Sequence, residues 1–249
     1  MVIIASIPMR VRSENNGHFF MINTAHFIRR TTPVDVDGID AVKSAAWPKE
    51  NSDQRLIAMV LESSDHVTFA VETLGNIVGF VDGFLTHGNE TLRWEVDLLA
   101  VAPGRRGMRL GDALVLASCT AGYEQGADFC RALIQVSNIA SQKTFARSGF
   151  QLEDQPHRLY VASDGDNQPG LTDSTGLIIP VTTMNYQGIW LELHYAYTDL
   201  LAAKSNLMSN DIQVAGTVIS EMLTESCRAA ESLGYVCIGT YQWWIHRKK

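Results

Sequence analysis

The chain has 249 residues, of which 46% are hydrophobic and 19% are charged, and its formal net charge at pH 7 is −7. This composition is that of a soluble globular protein, and the acidic balance argues against nucleic acid as a partner. No apolar run approaches the ~20 residues of a membrane-spanning helix, so we expect no membrane association. The N-terminus also lacks the cationic start and long apolar core of a secretory signal.

The histidines and cysteines show no spacing typical of metal ligands, and we therefore expect no metal. Each cysteine lies in an apolar helix or strand pattern, which predicts buried free thiols. Free thiols suit a reducing compartment, so we expect the protein to be cytoplasmic. The four cysteines are Cys119, Cys130, Cys227 and Cys237.

The first predicted elements follow an N-terminal extension, residues 1–25, in which Glu14-Asn15-Asn16-Gly17 is typical of a turn in an added hairpin. Residues 27–32 then predict a strand, and the apolar periodicity of residues 39–47 predicts a helix. Residues 66–72 and 77–85 predict two strands of a hairpin around Leu74-Gly75-Asn76.

The next segment, residues 94–111, is the most informative part of the chain. An apolar-rich strand carries Glu95 and Asp97, and it breaks at Ala102-Pro103-Gly104 into a loop with three arginines and two glycines. A helical pattern follows from Asp112 to Glu124. Loop amides, a helix N-terminus and arginines together favour an anionic, phosphorylated ligand.

The remaining pattern predicts a strand at 129–136, a helical segment within 138–150 and a closing strand at 158–162. Residues 163–170 are polar and turn-rich, as in a linker. Beyond them we predict strands at 177–182 and 188–195, a long helix at 212–233 and a strand at 235–245. The sequence thus predicts an extension (1–25), a first domain (26–163) and a C-terminal α/β region (164–249).

Two segments, in the right order and at the right distance, resemble the GNAT superfamily of acetyl-CoA-dependent N-acetyltransferases. The first is Val101-Ala102-Pro103 followed by Arg106-Gly107-Met108-Arg109-Leu110-Gly111, which is similar to the family's Val-x-Pro and Arg/Gln-x-x-Gly-x-Gly/Ala loop. Here Arg109 stands where the family usually has its first glycine. The second runs from Asn138 to Gly149-Phe150, with Ser141 in place of the usual alanine and Phe145 in place of the usual tyrosine.

The resemblance implies an α/β (α+β) fold with a mixed, mostly antiparallel sheet flanked by helices. It also implies direct acetyl transfer from acetyl-CoA to an amine in a ternary complex. The amides and carbonyls of Leu99 and Val101 would pair with the pantetheine arm, and the loop amides would hold the pyrophosphate. The residues that the resemblance assigns to acetyl-CoA are Leu99, Ala100, Val101, Arg106, Gly107, Met108, Arg109, Leu110, Gly111, Asp112, Asn138, Ser141 and Phe145.

An amine must lose its proton before it attacks, so a base is required. Glu95 is the first candidate, and Asp97, which has the same side-chain parity along the strand, is the alternate. Phe145 cannot donate a proton to the leaving thiolate, so Ser141 or Tyr160 replaces the family's tyrosine or the thiolate leaves unassisted. A small amine is the expected acceptor. A silent acyl-CoA-binding module and a protein N-terminal or lysine acetyltransferase remain open as alternatives.

The order of elements in the C-terminal region resembles that of the first domain, and Trp190-Leu191-Glu192 is similar to Trp94-Glu95. We therefore expect a degenerate second GNAT-like half. Its loop, residues 204–211, has no glycine and no arginine, so no second acetyl-CoA site is expected. The region would instead form a wall of the substrate pocket or a homodimer contact.

Overall fold

The computed structural model describes residues 20–23, 26–153, 155–163, 174–208 and 212–248. Most of the predicted extension and most of the predicted linker lie outside these ranges. The one described piece of the extension, Phe20–Asn23, is a strand that pairs antiparallel with the next one. Within the described ranges, no helix is both long enough and apolar enough to cross a membrane.

The predicted strands and helices of residues 26–163 are present, with two additions. A second helix, of nine residues, follows the first, and the Asp53 side chain caps it by accepting from the Arg55 amide. A two-residue strand, Gln151–Leu152, is the other. The elements up to residue 162 are β1 (Phe20–Asn23), β2 (His26–Arg30), α1 (Val36–Ala46), α2 (Gln54–Glu62), β3 (Phe69–Thr73), β4 (Asn76–His87), β5 (Leu92–Val101), α3 (Leu110–Glu124), β6 (Phe129–Gln135), α4 (Ile139–Arg147), β7 (Gln151–Leu152) and β8 (His157–Ala162).

The C-terminal region departs from the prediction at two places, and the first is the helix Tyr197–Ser205, which is not among the predicted elements. The helix predicted at 212–233 is wrong, because Val214–Ser220 form a strand and only Thr224–Ser232 are helical. The strand is an inner strand of the sheet and is buried along most of its length, so its apolar run does not alternate and is easily read as a helix. The elements after residue 174 are β9 (Leu177–Thr182), β10 (Gln187–Glu192), α5 (Tyr197–Ser205), β11 (Val214–Ser220), α6 (Thr224–Ser232) and β12 (Val236–Arg247).

The described strands form one twelve-stranded sheet. Its order is β1-β2-β3-β4-β5-β6-β12-β8-β11-β10-β9, and β7 pairs with β12 beside this path. Of the strand pairs in the described residues, β5–β6 and β10–β11 are parallel and the others are antiparallel. The predicted fold class, a mixed and mostly antiparallel sheet flanked by helices, is therefore confirmed.

The two parts of the chain exchange their last strands within this sheet. β12, from the end of the chain, lies between β6 and β8, and β8 lies between β12 and β11. Each parallel pair is thus followed by an antiparallel strand that the other part supplies. The order β10-α5-β11-α6-β12 repeats the order β5-α3-β6-α4-β8. The sheet is continuous across the boundary predicted at residue 163, and that boundary stays a prediction.

Helix α3 packs on one face of the first part of the sheet, and Trp94 lies in the centre of this contact. Its indole is fully buried, and its Nε1 donates to the Ser118 hydroxyl at 2.9 Å. A Cβ atom at Gly83 or Gly122 would overlap the indole. Both glycines are therefore needed for the close approach of α3 to β4 and β5. On the opposite face, α1 and α2 cover β3, β4 and β5 around Phe80.

Candidate functional site

Strands β5 and β6 are paired along only a short stretch. Their register covers Arg93–Phe129, Trp94–Cys130 and Glu95–Arg131, and it ends there. Beyond this point β5 continues beside β4, and β6 continues beside β12. The two parallel strands consequently separate after Glu95 and leave a gap between their C-terminal halves.

The backbone of β5 offers free hydrogen-bonding groups to this gap. The Ala102 amide donates to the Val78 carbonyl at 2.9 Å, so the Ala102 amide points toward β4. Because backbone groups alternate along a strand, those of Ala100 also face β4, and those of Leu99 and Val101 face the gap. The Val101 carbonyl accepts from Arg106 Nε at 3.1 Å. An extended ligand in the gap would find Leu99 available as a strand partner, whereas Ala100 has its backbone engaged and its side chain buried.

The loop after β5 ends in the first turn of α3. Gly107 and Arg109 both have left-handed backbone conformations, with φ of 79° and 59°. Arg109 immediately precedes the helix, and glycine adopts this conformation without the steric cost that arginine incurs. The amides of Leu110, Gly111 and Asp112 open the helix and lack carbonyl partners within it. This helix end is suited to an anion.

Asp112 holds two arginines beside this helix end. Its carboxylate accepts from Arg109 Nε at 2.9 Å and from the Arg147 guanidinium at 2.7 and 2.9 Å. Burial alone would raise the pKa of Asp112, but the hydrogen bonds from Arg147 and Arg109 lower it. Arg109 is thus directed to a carboxylate of its own chain. Arg147, which the sequence reasoning did not select, lies beside the same helix end.

The second predicted segment forms helix α4. Asn138 caps it, since its Oδ1 accepts from the Ser141 amide at 3.1 Å. Ser141 is partly exposed, whereas Phe145 is only 3% exposed and packs edge to face on Phe150, with 4.9 Å between ring centroids. The side chain at the position where the family has a tyrosine is therefore a core residue.

A β-bulge interrupts β5 beside the gap. Val81 pairs with Leu99, but Gly83 pairs with Val96, so β5 has one extra residue opposite Asp82. The extra residue lies within Asp97-Leu98. Bulges re-aim side chains, and here Asp97 and Glu95 both lie on the sheet face opposite α3.

Glu95 is bound on several sides. Arg131 Nε donates to its two carboxylate oxygens at 2.9 and 2.8 Å, and the Thr86 hydroxyl donates to Oε1. The same Arg131 and Arg93 bind Glu192 of β10 at 2.5 and 2.6 Å. These two arginines and two glutamates form a largely buried ionic network. The C-terminal region thereby reaches the base of the gap.

Asp97 differs from Glu95 in that it forms no ion pair with any residue that the structure describes. Burial raises the pKa of Asp97 to about 7, the charges of Asp82 and Glu95 act in the same direction, and His66 opposes them. The side chain itself is open to solvent. A side chain that is reached by solvent and yet surrounded by protein is typical of the floor of a cleft.

His66 and Asp82 form a buried pair beside Asp97. His66 Nδ1 lies 2.7 Å from Asp82 Oδ2, and the Thr68 hydroxyl donates to Oδ1 at 2.7 Å. Burial lowers the pKa of His66, but the hydrogen bond and charge of Asp82, together with the charge of Asp97, raise it overall. This pair cannot be recognised from the sequence, because the two residues are 16 positions apart and come together only through strand pairing.

The turn between β9 and β10 covers the same face. Lys43 of α1 donates to the Met184 carbonyl at 2.8 Å, and the Met184 side chain is fully buried against α1 and α2. Burial and the charge of Asp97 raise the pKa of Tyr186 in this turn. The predicted site residues come from the first part of the chain, and the structure adds this turn and Glu192 from the second.

The corresponding place in the C-terminal region is closed. Strands β10 and β11 stay paired from Gly188–Val214 to Leu191–Thr217. At the start of α5, the Asp199 carboxylate accepts from the amides of Thr175, Gly176 and Ala196. These bonds tie the first turn of α5 to the segment that precedes β9.

Three of the four cysteines are buried free thiols, as predicted, but Cys237 is exposed and that prediction is wrong. Cys237 lies at the start of β12, where the strand is accessible to solvent. Ligand atoms of Cys119, Cys130 and His246 lie within 4.8 Å of one another. A hydrogen bond between the thiols and burial raise the pKa of Cys119, which favours the neutral thiol in the α3 core.

Comparison with known proteins agrees with this geometry. Residues 36–150 match the Acetyltransferase (GNAT) family, and this part of the chain is a GNAT acetyltransferase domain. No curated protein matches the chain by sequence.

Three solved structures share the fold over most of the chain. One is a candidate acetyltransferase from Pyrococcus horikoshii, at a TM-score of 0.60 and 10% identity, with 96% of this chain and 93% of that one covered. Another, from Thermoplasma acidophilum, has a TM-score of 0.54, 14% identity and coverage of 89% and 99%. The third contains the GCN5-related glucosamine N-acetyltransferase region of a fungal multi-domain GH3 β-N-acetylglucosaminidase, at a TM-score of 0.59 and 12% identity. The match covers 90% of our chain and 38% of that longer chain.

Proposed function

We propose that the protein is an N-acetyltransferase that moves an acetyl group from acetyl-CoA to a primary amine of a small molecule. The observation that carries this proposal is the gap between β5 and β6. It has an anion-binding helix end at one side and an accessible carboxylate with a raised pKa at the other. Direct attack of the amine on the thioester, in a ternary complex, requires both substrates to meet in this gap.

Acetyl-CoA would enter along the gap as an added strand. Leu99 and Val101 would pair with the pantetheine arm, and the amide of Leu99 would stabilise the oxyanion that forms on the thioester carbonyl. The loop from Arg106 to Asp112 would hold the pyrophosphate, with Arg147 close by. The closed β10–β11 pair supports one acetyl-CoA site in each chain.

Asp97 is the better base for the acceptor amine. A general base works best when its pKa is near the working pH, and the pKa of Asp97 is about 7. Glu95 has both oxygens engaged by Arg131, and this ion pair favours its ionised form as a fixed structural charge over the transfer of a proton. We assign Asp97 as the base and Glu95 to the structure of the gap, which reverses the order of the two candidates in the sequence analysis.

The departing thiolate has no tyrosine to protonate it. Phe145 is a core residue, and Tyr160 is fully buried with its hydroxyl bound to Glu231. A thiol has a pKa of about 8.5, so a thiolate leaves without an acid more readily than an alkoxide would. We propose unassisted departure. Ser141 and Thr144 are the two partly exposed hydroxyl groups of α4 on which assistance would depend.

The acceptor is proposed to be small because the β9–β10 turn covers the face on which Asp97 lies. A protein substrate would require an open groove at this place. A homodimer is a further proposal, supported by exposed apolar side chains near the C-terminus, Val236 and Ile238 among them. The buried free thiols support a reducing, cytoplasmic setting.

The test is thiol release from acetyl-CoA against a panel of amines. Wild type, Asp97→Asn and Glu95→Gln are compared, and acetyl-CoA binding is measured by calorimetry for each. Amine-dependent release that is lost in Asp97→Asn with intact binding supports the proposal. Saturable binding without release by wild type, under any amine, favours the silent acyl-CoA-binding module, and absence of binding overturns both.

A further inference from the structure

The buried pair His66–Asp82 lies beside Asp97, the proposed base, and has no part in the acetyl transfer proposed above. Asp82 on β4 is opposite the bulge that contains Asp97, as the register of Val81 with Leu99 and Gly83 with Val96 requires. His66 forms a bridge with Phe84 and so lies on the other side of β4. His66, Asp82 on β4 and Asp97 on β5 therefore lie side by side on one face of the sheet.

The arrangement presents an electrostatic conflict. Asp82 is fully buried, and its neighbour Asp97 must also lose its proton to act as a base. The charge of Asp82 opposes ionisation of Asp97. His66 lies on the far side of Asp82 from Asp97, with its Nδ1 2.7 Å from Asp82 Oδ2, and an imidazolium there offsets the negative charge of Asp82.

We infer that His66, held by Asp82, is a positioning residue that acts as the counter-ion for Asp97 and so allows Asp97 to be ionised as the base. This inference rests on the proposed function for its catalytic meaning. The charge relationship itself can be measured without turnover.

The other charged groups around Asp97 are accounted for. Glu95, on the same strand, is neutralised by Arg131, and Arg93 is paired with Glu192. Tyr186, from the β9–β10 turn, is kept neutral by its raised pKa. Asp65, next to His66 in sequence, adds a further negative charge that favours the imidazolium. His66 therefore remains as the cation able to balance Asp97.

The experiment is a carbon NMR titration of aspartate carboxyls, with Asp97→Asn used to assign the signal. In His66→Gln the midpoint for Asp97 should move upward by roughly 1 pH unit, the size expected when a nearby opposite charge is removed. His66→Lys, which restores a cation, should return the midpoint toward the wild-type value. His26→Gln is the matched control, because His26 is an equally buried histidine that binds Thr73 at 2.6 Å on β2, away from the bulge.

An unchanged Asp97 midpoint in folded His66→Gln overturns the inference. If that variant does not fold, nitrogen NMR of wild-type His66 decides, because a neutral imidazole at the pH where Asp97 ionises also overturns it. The acidic limb of kcat/KM should move with the Asp97 midpoint. If the Asp97 midpoint moves in His66→Gln but wild type transfers acetyl to no amine, the charge relationship stands and only the proposed function is refuted.

Discussion

Arg131 on β6 binds both carboxylate oxygens of Glu95 on β5, at 2.9 and 2.8 Å, at the last position where the two strands are paired. Beyond this pair the strands separate. The ionic contact thus closes the base of the gap, and through Glu192 it also ties the C-terminal region to that point.

The first prediction concerns this contact. Arg131→Gln should lower the free energy of unfolding by about 3–5 kcal/mol, because it leaves two buried glutamates without their shared partner. Chemical denaturation measures the change. Arg158→Gln is the matched control, since solvent screens its exposed pair with Glu221 at 3.8 Å and its loss should change stability far less. Equal effects of the two variants would contradict the assigned role.

The second prediction is the pH dependence of transfer. Asp97 acts in its ionised form, so kcat/KM should rise with pH through an apparent pKa of about 7. The Asp97→Asn variant should no longer show this rise with pH, and its rate should be about 10²–10⁴-fold lower. A rate for the variant that equals that of wild type would exclude Asp97 as the base.

The third prediction is a stability change at the same residue. The pKa of Asp97 is raised by folding from 3.8 to about 7, so its ionisation opposes folding. This cost begins as the pH rises through the unfolded pKa and is complete above the folded pKa. Asp97→Asn should therefore be about as stable as wild type near pH 3, and more stable at pH 8. Thermal unfolding at the two pH values tests this, and a loss of stability at pH 8 would count against it.

The fourth prediction concerns the packing of Trp94. Gly122→Ala should destabilise the protein by about 1–3 kcal/mol, because the added methyl group overlaps the indole despite alanine's better helix propensity. Gly104→Ala is the control, since nothing lies within 4 Å of the position of its Cβ atom. Denaturation curves of both variants give the comparison. A neutral Gly122→Ala would mean that α3 can shift away from the sheet.

The fifth prediction tests the departing thiolate. Phe145→Tyr restores the family's residue, but it places a hydroxyl in the core against Phe150. We expect a loss of about 1–3 kcal/mol in stability and no increase in kcat. Steady-state kinetics with the best amine, beside unfolding curves, distinguishes this from an enzyme that lacks only its acid. A tenfold rise in kcat would show that the ring reaches the gap.

The sequence by itself determined the family, the fold class and the loop that opens α3. These depend on local patterns: the strand and helix periods, the break at Ala102-Pro103-Gly104, and the spacing from Arg106 to Asn138. Such patterns can be read without knowing which strands are neighbours. The same local reading failed at residues 212–233, because a strand buried along most of its length does not alternate.

Only the tertiary structure decided which carboxylate is free. Side-chain parity treats Glu95 and Asp97 alike, but strand pairing gives the first to Arg131 and sets the second in a bulge opposite Asp82. The exchange of β8 and β12 was equally invisible in sequence, because it joins residues far apart in the chain. Ion pairs, burial and the pKa of a base arise from such neighbours, and these are fixed when the sheet assembles.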